Sequence, residues 1–354
     1  MPSWRVDLKA EVDLIEEVAR VGGYESIPVI MPPLASKVRT VAFQPRFERN
    51  LREGLIGLGF RETVSLGFSS ERDAELFGHA KASLVEVQNP LGEETRYLRF
   101  SLIPALLVAA RRNQDALPSL TDLRFFEIGG TFAWSPQSID APRERRRLAL
   151  LLRGRRRPAG WSSSEEMLDI YDLLGALELV WERLGRTLPV PARDDTPWLH
   201  PRTEGRIVDD GEPVGVFGEL HPDLMRAYGL EGPAPIVAEI DLAGLSTQVA
   251  LPAFRTPVSH PPAQRDLSFF VKKERLAAAI LETVRDAGKA VNLESVELFD
   301  VFEGRGVPED ERSIAIALVF RATDHTMDEA EVEASQKHIL EALVREHAVR
   351  LRAG

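Results

Sequence analysis

The sequence predicts an α+β protein of more than one domain, and three observations predict it. Strand-type runs and helix-period segments are mixed through the middle of the chain. Proline clusters at 28–33 and 252–262 break it into parts, and the last hundred residues lay out as βαββαβ. A chain of 354 residues also exceeds one ordinary core, so two or three domains are expected.

The first element is an acidic helix. If it starts near Glu11, then Asp13, Glu16 and Glu17 sit at i, i+3 and i+4 and share a face, with Asp7 just ahead of them. Hard cations such as Mg²⁺ take one or two carboxylates plus waters. Clustered acids repel one another unless a cation or basic partner intervenes. The alternative is a solvated face whose acids are favoured by the helix macrodipole, and from spacing alone that is the commoner outcome.

Pro28, Pro32 and Pro33 make an extended linker, because a residue before proline avoids helical backbone. The segment Phe43–Gly54 suits an amphipathic helix with Phe43, Phe47, Leu51 and Leu55 on one face. Gly54, Gly57 and Gly59 then end a helix and lead into a strand over Thr63–Phe68. They are not a dinucleotide loop, which follows a strand and opens a helix.

Asn89-Pro90-Leu91 is a turn with a proline-fixed φ. After Tyr97-Leu98-Arg99 comes a helix whose apolar residues Leu102, Ile103, Leu106, Leu107 and Ala110 follow a 3.6 period. A polar break at Asn113–Thr121 precedes the strand Leu123–Gly129, which carries Glu127 among aromatics. Leu148–Leu152 reads as a buried strand. Arg143, Arg145, Arg146 and Arg147 precede it, and Arg153, Arg155, Arg156 and Arg157 follow it. Solvating the strand ends is the reading preferred for these arginines over an RNA or subunit contact. Ser162–Ser164 reads as a loop, and Asp169–Leu184 as a core helix carrying Ile170, Leu173, Leu174, Leu177 and Val180.

In the last hundred residues, Asp266–Val271 is strand-like and Glu274–Asp286 helical. Strands over Val296–Phe302 and Ser313–Phe320 follow. Thr326 with Glu329 is a capping box for a long helix burying Val332, Ile339, Leu340, Leu343 and Val344. A short strand at Ala348–Leu351 closes the ferredoxin-like order, a fold that by itself says nothing of function.

Composition narrows the classes. The net charge of −11 counts against bulk electrostatic binding of nucleic acid, and residues 255–354 carry 14 Lys+Arg against 18 Asp+Glu, a net of −4. Cysteine is absent, which excludes disulfides and thiolate sites; the seven histidines form no HExxH, so zinc is not expected. The start MPSWRVDLKAEVDLIEE lacks the apolar core of a secretory signal, and no run of eighteen apolar residues occurs. A soluble cytoplasmic protein is the expectation.

Taken in order, several strings carry a resemblance. Asn89-Pro90-Leu91, the Leu98–Leu107 segment and Phe126-Glu127-Ile128-Gly129 resemble the catalytic-like domain of the bacterial phenylalanyl-tRNA synthetase β-subunit family. Trp4-Arg5-Val6-Asp7, Asp13–Val18 and Gly23–Pro28 look like the end of the domain preceding that core. Phe217-Gly218-Glu219-Leu220-His221-Pro222 is similar to another core string, with His200-Pro201 and His221-Pro222 read as structural. Arg265-Asp266-Leu267, Leu298–Phe302, Thr326-Met327-Asp328 and Leu351-Arg352 resemble the family's C-terminal domain, although Ala263-Gln264 departs from its pattern.

The resemblance implies three parts. Residues 1–35 would be the remnant of the preceding domain, 36–250 an inactive class II synthetase-like antiparallel-sheet core, and 255–354 a ferredoxin-fold anticodon-binding domain. It implies an α subunit holding ATP and phenylalanine in an α2β2 heterotetramer, tRNA(Phe) as the RNA bound, and Mg²⁺ at Asp7, Asp13, Glu16 and Glu17. Catalytic residues are not expected in this chain, nor is editing assigned to it. A truncated or paralogous binding module is the alternative function, and a metal-dependent hydrolase using the acid cluster ranks last.

Overall fold

The structure is a computed structural model that describes residues 3–30, 43–117, 122–134, 141–157, 160–162, 164–243, 245, 254 and 256–351. Pro32, Pro33, Ser163, Pro252 and Arg352 of the sequence motifs lie outside the described residues, as do 118–121 of the polar break. The chain divides into two compact units, residues 1–47 and 48–354.

The first unit holds α1 (Glu11–Gly22), which buries no residue at all. Val12, Ile15, Val18 and Val21 are all exposed. Next comes α2 (Phe43–Gly57), where Phe47, Leu51 and Leu55 are buried at the predicted helical spacing. Gly57 ends this helix, and Gly59 turns the chain at φ 84°, a value that suits glycine.

The predicted strand at Thr63–Phe68 is mostly not formed. Pairing is confined to β1 (Arg61–Glu62) and β2 (Phe68–Ser69), and Val64 and Leu66 between them point into solvent. The alternation was strand-like, but the segment crosses from one sheet to another and finds no ladder to join. After α3 (Glu71–Leu76), β3 (Val85–Glu86) and β4 (Tyr97–Leu98) complete a small sheet in the order β2-β4-β3.

Helix α4 (Ile103–Ala116) opens with Pro104 in its first turn, where the missing N–H costs nothing. Ile103, Leu106, Leu107 and Ala110 are fully buried against Leu123, Phe125, Ala149, Leu151 and Val237. Each of the three large side chains stabilises the fold by about 1.5–3 kcal/mol. The long hairpin strands β5 (Leu123–Ala133) and β6 (Arg143–Arg153) pair antiparallel over their full length.

Helix α5 (Ile170–Glu182) is capped by Asp169, whose carboxylate accepts from the Tyr171 and Asp172 N–H groups. The core continues through β7 (Gly205–Asp209), β8 (Glu212–Glu219), α6 (Pro222–Ala227) and β9 (Ile236–Asp241). Its sheet runs β1-β5-β6-β9-β8-β7, parallel only at β1 with β5. Successive residues of β6 from Leu148 to Leu152 are all buried, so both faces of the sheet are covered, with α4 on one and α5 beside β9 on the other.

The last part comprises β10 (Ala263–Lys272), α7 (Ala277–Gly288), β11 (Leu293–Phe302), β12 (Glu311–Phe320), α8 (Glu329–His347) and β13 (Arg350–Leu351). Its sheet order, β11-β12-β10-β13, is the ferredoxin-like arrangement the βαββαβ pattern predicts. The helix cap lies two residues later than expected. Asp328 accepts from the Glu331 N–H, and Glu331 accepts from the Asp328 N–H, so these two form the box rather than Thr326 with Glu329. Both pairs fit the sequence rule; the two-residue difference decides which acid faces the free N–H groups. Among the described residues no helix is long and apolar enough to cross a membrane.

Candidate functional site

The C-terminal sheet has one covered face and one open face. Leu267, Phe269 and Val271 of β10 pack with Ile314, Ile316 and Leu318 of β12 against Ile280, Val284, Ile339 and Leu343 of the helices. Alternation then directs Phe270 the other way. The register places Phe302, Ser313, Phe270 and Arg350 in one row across the four strands. The two phenylalanines stand two strand spacings apart, about 9.5 Å, with the small Ser313 between them. The Arg350 guanidinium lies 6.0 Å from the Phe270 ring centroid and also pairs with Glu311 at 2.5 Å.

Phe302 is 43 % exposed, and Phe299 beside it, at a bulge in β11, is 54 % exposed. Flat rings flanking a shallow floor are a surface on which nucleic-acid bases stack. The same face carries Asp266, Glu297, Asp300 and Glu311 against Lys272 and Arg350. It therefore offers stacking and little phosphate attraction. The signal was present in the sequence, since Phe270 breaks the inward period of Leu267, Phe269 and Val271.

At the N-terminus the four acids are placed as follows. Arg5 donates through Nη2 to Asp7 at 2.7 Å and to Glu17 at 2.5 Å, while Arg20 also donates to Glu17 at 2.5 Å. Asp13 accepts from the backbone N–H groups of Lys9 and Ala10 at 2.6 and 2.7 Å, closing the helix start. Glu16 is exposed and shares none of these bonds. The Arg5 hydrogen bond holds Asp7 below the ordinary carboxylate range, the Ala10 and Lys9 N–H groups do so for Asp13, and Arg5 with Arg20 do so for Glu17. Repulsion among the acids is thus relieved by arginine and backbone donors. Among the described residues no three acidic or histidine groups converge to hold a metal ion.

In the core, Glu127 is buried with Arg99. Arg99 Nη1 donates to Glu127 at 2.5 Å and to the Ser65 hydroxyl at 2.9 Å, and its Nε donates to the Gly130 carbonyl at 2.8 Å. Ser65 in turn donates to both carboxylate oxygens. Arg99 passes so close over Gly129 that a Cβ there would meet its guanidinium at 2.2 Å. Glu239 accepts from the Ser101 hydroxyl and the Leu102 N–H at the start of α4, and pairs with Arg147.

The arginines that bracket the buried strand are mostly spent on neighbours. Arg145 pairs with Asp241, Arg146 with Glu48 through two bonds, Arg155 with Asp122, and Arg156 with Glu166, Asp169 and Asp172. Arg153 donates to the carbonyls of Glu231 and Pro233. They do more than solvate strand ends, because they tie the sheet to the segments around it. His221 is structural, its Nδ1 accepting the Asp223 N–H at the start of α6.

Three family models match along the chain. Residues 259–352 match the ferredoxin-fold anticodon binding domain, 27–242 the phenylalanyl tRNA synthetase beta chain CLM domain, and 1–24 the tRNA synthetase B5 domain. These are modules of tRNA synthetases. The chain belongs to the phenylalanyl-tRNA synthetase β-chain family.

Curated relatives agree with that assignment. The phenylalanine–tRNA ligase beta subunit of Geobacter metallireducens is 33% identical over 366 residues, covering 99% of this chain and 44% of the relative. That of Moorella thermoacetica is 35% identical over 350 residues, covering 97% and 43%. The chain spans less than half the length of these relatives. A solved structure of Desulfitobacterium hafniense PylSc, a pyrrolysyl tRNA synthetase, overlays at TM-score 0.45 and 15% identity over 58% of this chain and 66% of that one, a likeness too slight to build on.

Proposed function

We propose that this chain is the β-subunit part of a phenylalanine–tRNA ligase and supports ATP-dependent charging of tRNA(Phe) without catalysing it. On this reading residues 1–35 end the preceding domain, 36–250 form a class II synthetase-like core that is itself inactive, and 255–354 form the anticodon-binding domain. An α subunit holds ATP and phenylalanine, in a cytoplasmic α2β2 assembly. The observation that carries the reading is the row Phe302, Ser313, Phe270 and Arg350, exposed at Phe302 and Arg350, a base-stacking surface on the segment matched to anticodon-binding domains.

Inactivity of the core is supported by where its arginines go. A class II synthetase stabilises the developing phosphate charge of ATP with arginines. Here Arg99, Arg145, Arg146 and Arg147 face Glu127, Asp241, Glu48 and Glu239. The purified chain is expected to give no phenylalanine-dependent pyrophosphate exchange, and exchange should appear on adding an α subunit. Exchange by the chain alone would overturn this assignment.

The same reading places Mg²⁺ at Asp7, Asp13, Glu16 and Glu17. Carboxylates suit a hard cation, and residues 1–24 match the B5 domain. As the four now stand they do not fit one, because Arg5 spans Asp7 and Glu17 and the helix start holds Asp13. A cation there requires Arg5 to be drawn away, and the proposed agent is the α subunit. Asp13→Ala with Glu17→Ala is therefore expected to weaken α association more than it lowers the melting temperature of the chain. Unchanged association and unchanged metal content in the complex would reduce the cluster to a solvated helix face.

A further inference from the structure

One end of the six-stranded sheet carries more arginine donors than the acids facing them can accept. Arg143, Arg145 and Arg147 alternate along β6, so their side chains leave the same face about 6.6 Å apart. Opposite them on β5 stand Ala133, Thr131 and Gly129, all small. The three arginines, with Phe100 and Trp134, line a cavity of about 210 Å³. The Phe100 ring is backed by His79 at 4.3 Å between centroids.

The charges on this wall do not balance. Strand β9 supplies two carboxylates, Asp241 for Arg145 and Glu239 for Arg147. Glu239 is further committed to the Ser101 hydroxyl and the Leu102 N–H. Arg143 is exposed and pairs with no acid among the described residues. Arg147 Nε is buried and has no acceptor. A buried donor left unmet destabilises the fold, and native structures keep few of them, so each calls for an explanation. The donor on this wall that an acceptor from outside the chain can reach is the exposed Arg143.

We propose that this cavity is an oxyanion site for a phosphate-type group, free or borne on a ring-containing small molecule, with Arg143 as the contacting guanidinium and Arg145 and Arg147 kept in their pairs behind it. Guanidinium forks match the oxygen spacing of phosphate and bind it in charge-assisted pairs. Trp134, 39 % exposed, supplies flat apolar surface for a ring attached to that group, with the buried Phe100 behind the cavity wall. The site is separate from the open C-terminal sheet face and does not require aminoacylation.

Calorimetric titration of the full chain with inorganic phosphate, pyrophosphate and AMP tests it. Saturable binding of at least one probe is expected, weakened at least about tenfold by Arg143→Glu, the loss of one charge-assisted contact. Arg143 is exposed and holds no ion pair among the described residues, so that variant should melt like the parent; Arg143→Lys should keep part of the affinity. AMP binding more tightly than phosphate assigns the ring-bearing form, and pyrophosphate binding more tightly than AMP assigns the free anion. No saturable binding into the millimolar range, or binding that Arg143→Glu leaves unchanged, overturns the proposal.

Discussion

Glu127→Ala is expected to destabilise the folded chain by about 3–5 kcal/mol, the cost of leaving a buried charge without its partner. Arg99 and Glu127 are both buried, their side chains 9% and 4% exposed. In the variant Arg99 keeps its bonds to Ser65 and the Gly130 carbonyl but loses its only carboxylate among the described residues. Water cannot replace that oxygen without opening the β5 face, where Leu102 and Arg99 close over Gly129. Glu127→Gln keeps an acceptor and should lose less. Arg99→Met combined with Glu127→Leu removes both charges and should recover much of the loss, because an intact buried pair is worth little net. Urea unfolding followed by tryptophan fluorescence measures all three. A loss for Glu127→Ala below about 1 kcal/mol would mean that Arg99 can reach water, and the buried pair would be the wrong description.

Phe270→Ala with Phe302→Ala is expected to weaken tRNA(Phe) binding by about 1–3 kcal/mol per ring, a rise in Kd of at least about tenfold for the pair. The expectation rests on the proposed tRNA role and on the row that sets the two rings either side of Ser313. Phe302 is 43 % exposed, so its removal opens no large cavity. The charge on the same face gives a second, independent signature. Four acids against two cations predict that the affinity contributed by this surface falls only weakly with added salt. Filter binding of the parent and the double variant across a salt series separates the outcomes. A steep salt slope together with unchanged affinity in the double variant would move the RNA contact to another surface.

The element pattern was legible because period and punctuation are local. Leu102 to Ala110 announce α4 by spacing alone, Leu148–Leu152 announce a strand covered on both faces, and the βαββαβ order of the last hundred residues needs only strand runs, helix runs and breaks. The misplaced features are those that a neighbour decides. Thr63–Phe68 alternates like a strand yet pairs only at its ends, since a strand exists by virtue of a ladder partner that sequence period does not supply. Thr326 and Asp328 both stand three residues before a glutamate, and the backbone entering α8 selects the second.

By itself the sequence determined the class of most segments, the family to which the chain belongs, and the acidity that denies its last hundred residues a bulk attraction for RNA. Those follow from composition, period and motif order, which are properties of residues taken along the chain. Only the tertiary structure decided which charges meet. It put Arg5 between Asp7 and Glu17, where spacing had offered an open acid face, and set Arg99 on Glu127 across 28 residues of sequence. It also turned Phe270 and Phe302 outward in one row and, among the described residues, left Arg143 and the Nε of Arg147 without acids beside many paired arginines. The reason is range. Helix and strand propensities act over a few residues, whereas an ion pair or a cross-strand row joins residues far apart in sequence, and packing of the whole core chooses among many acids and arginines of equal chemistry.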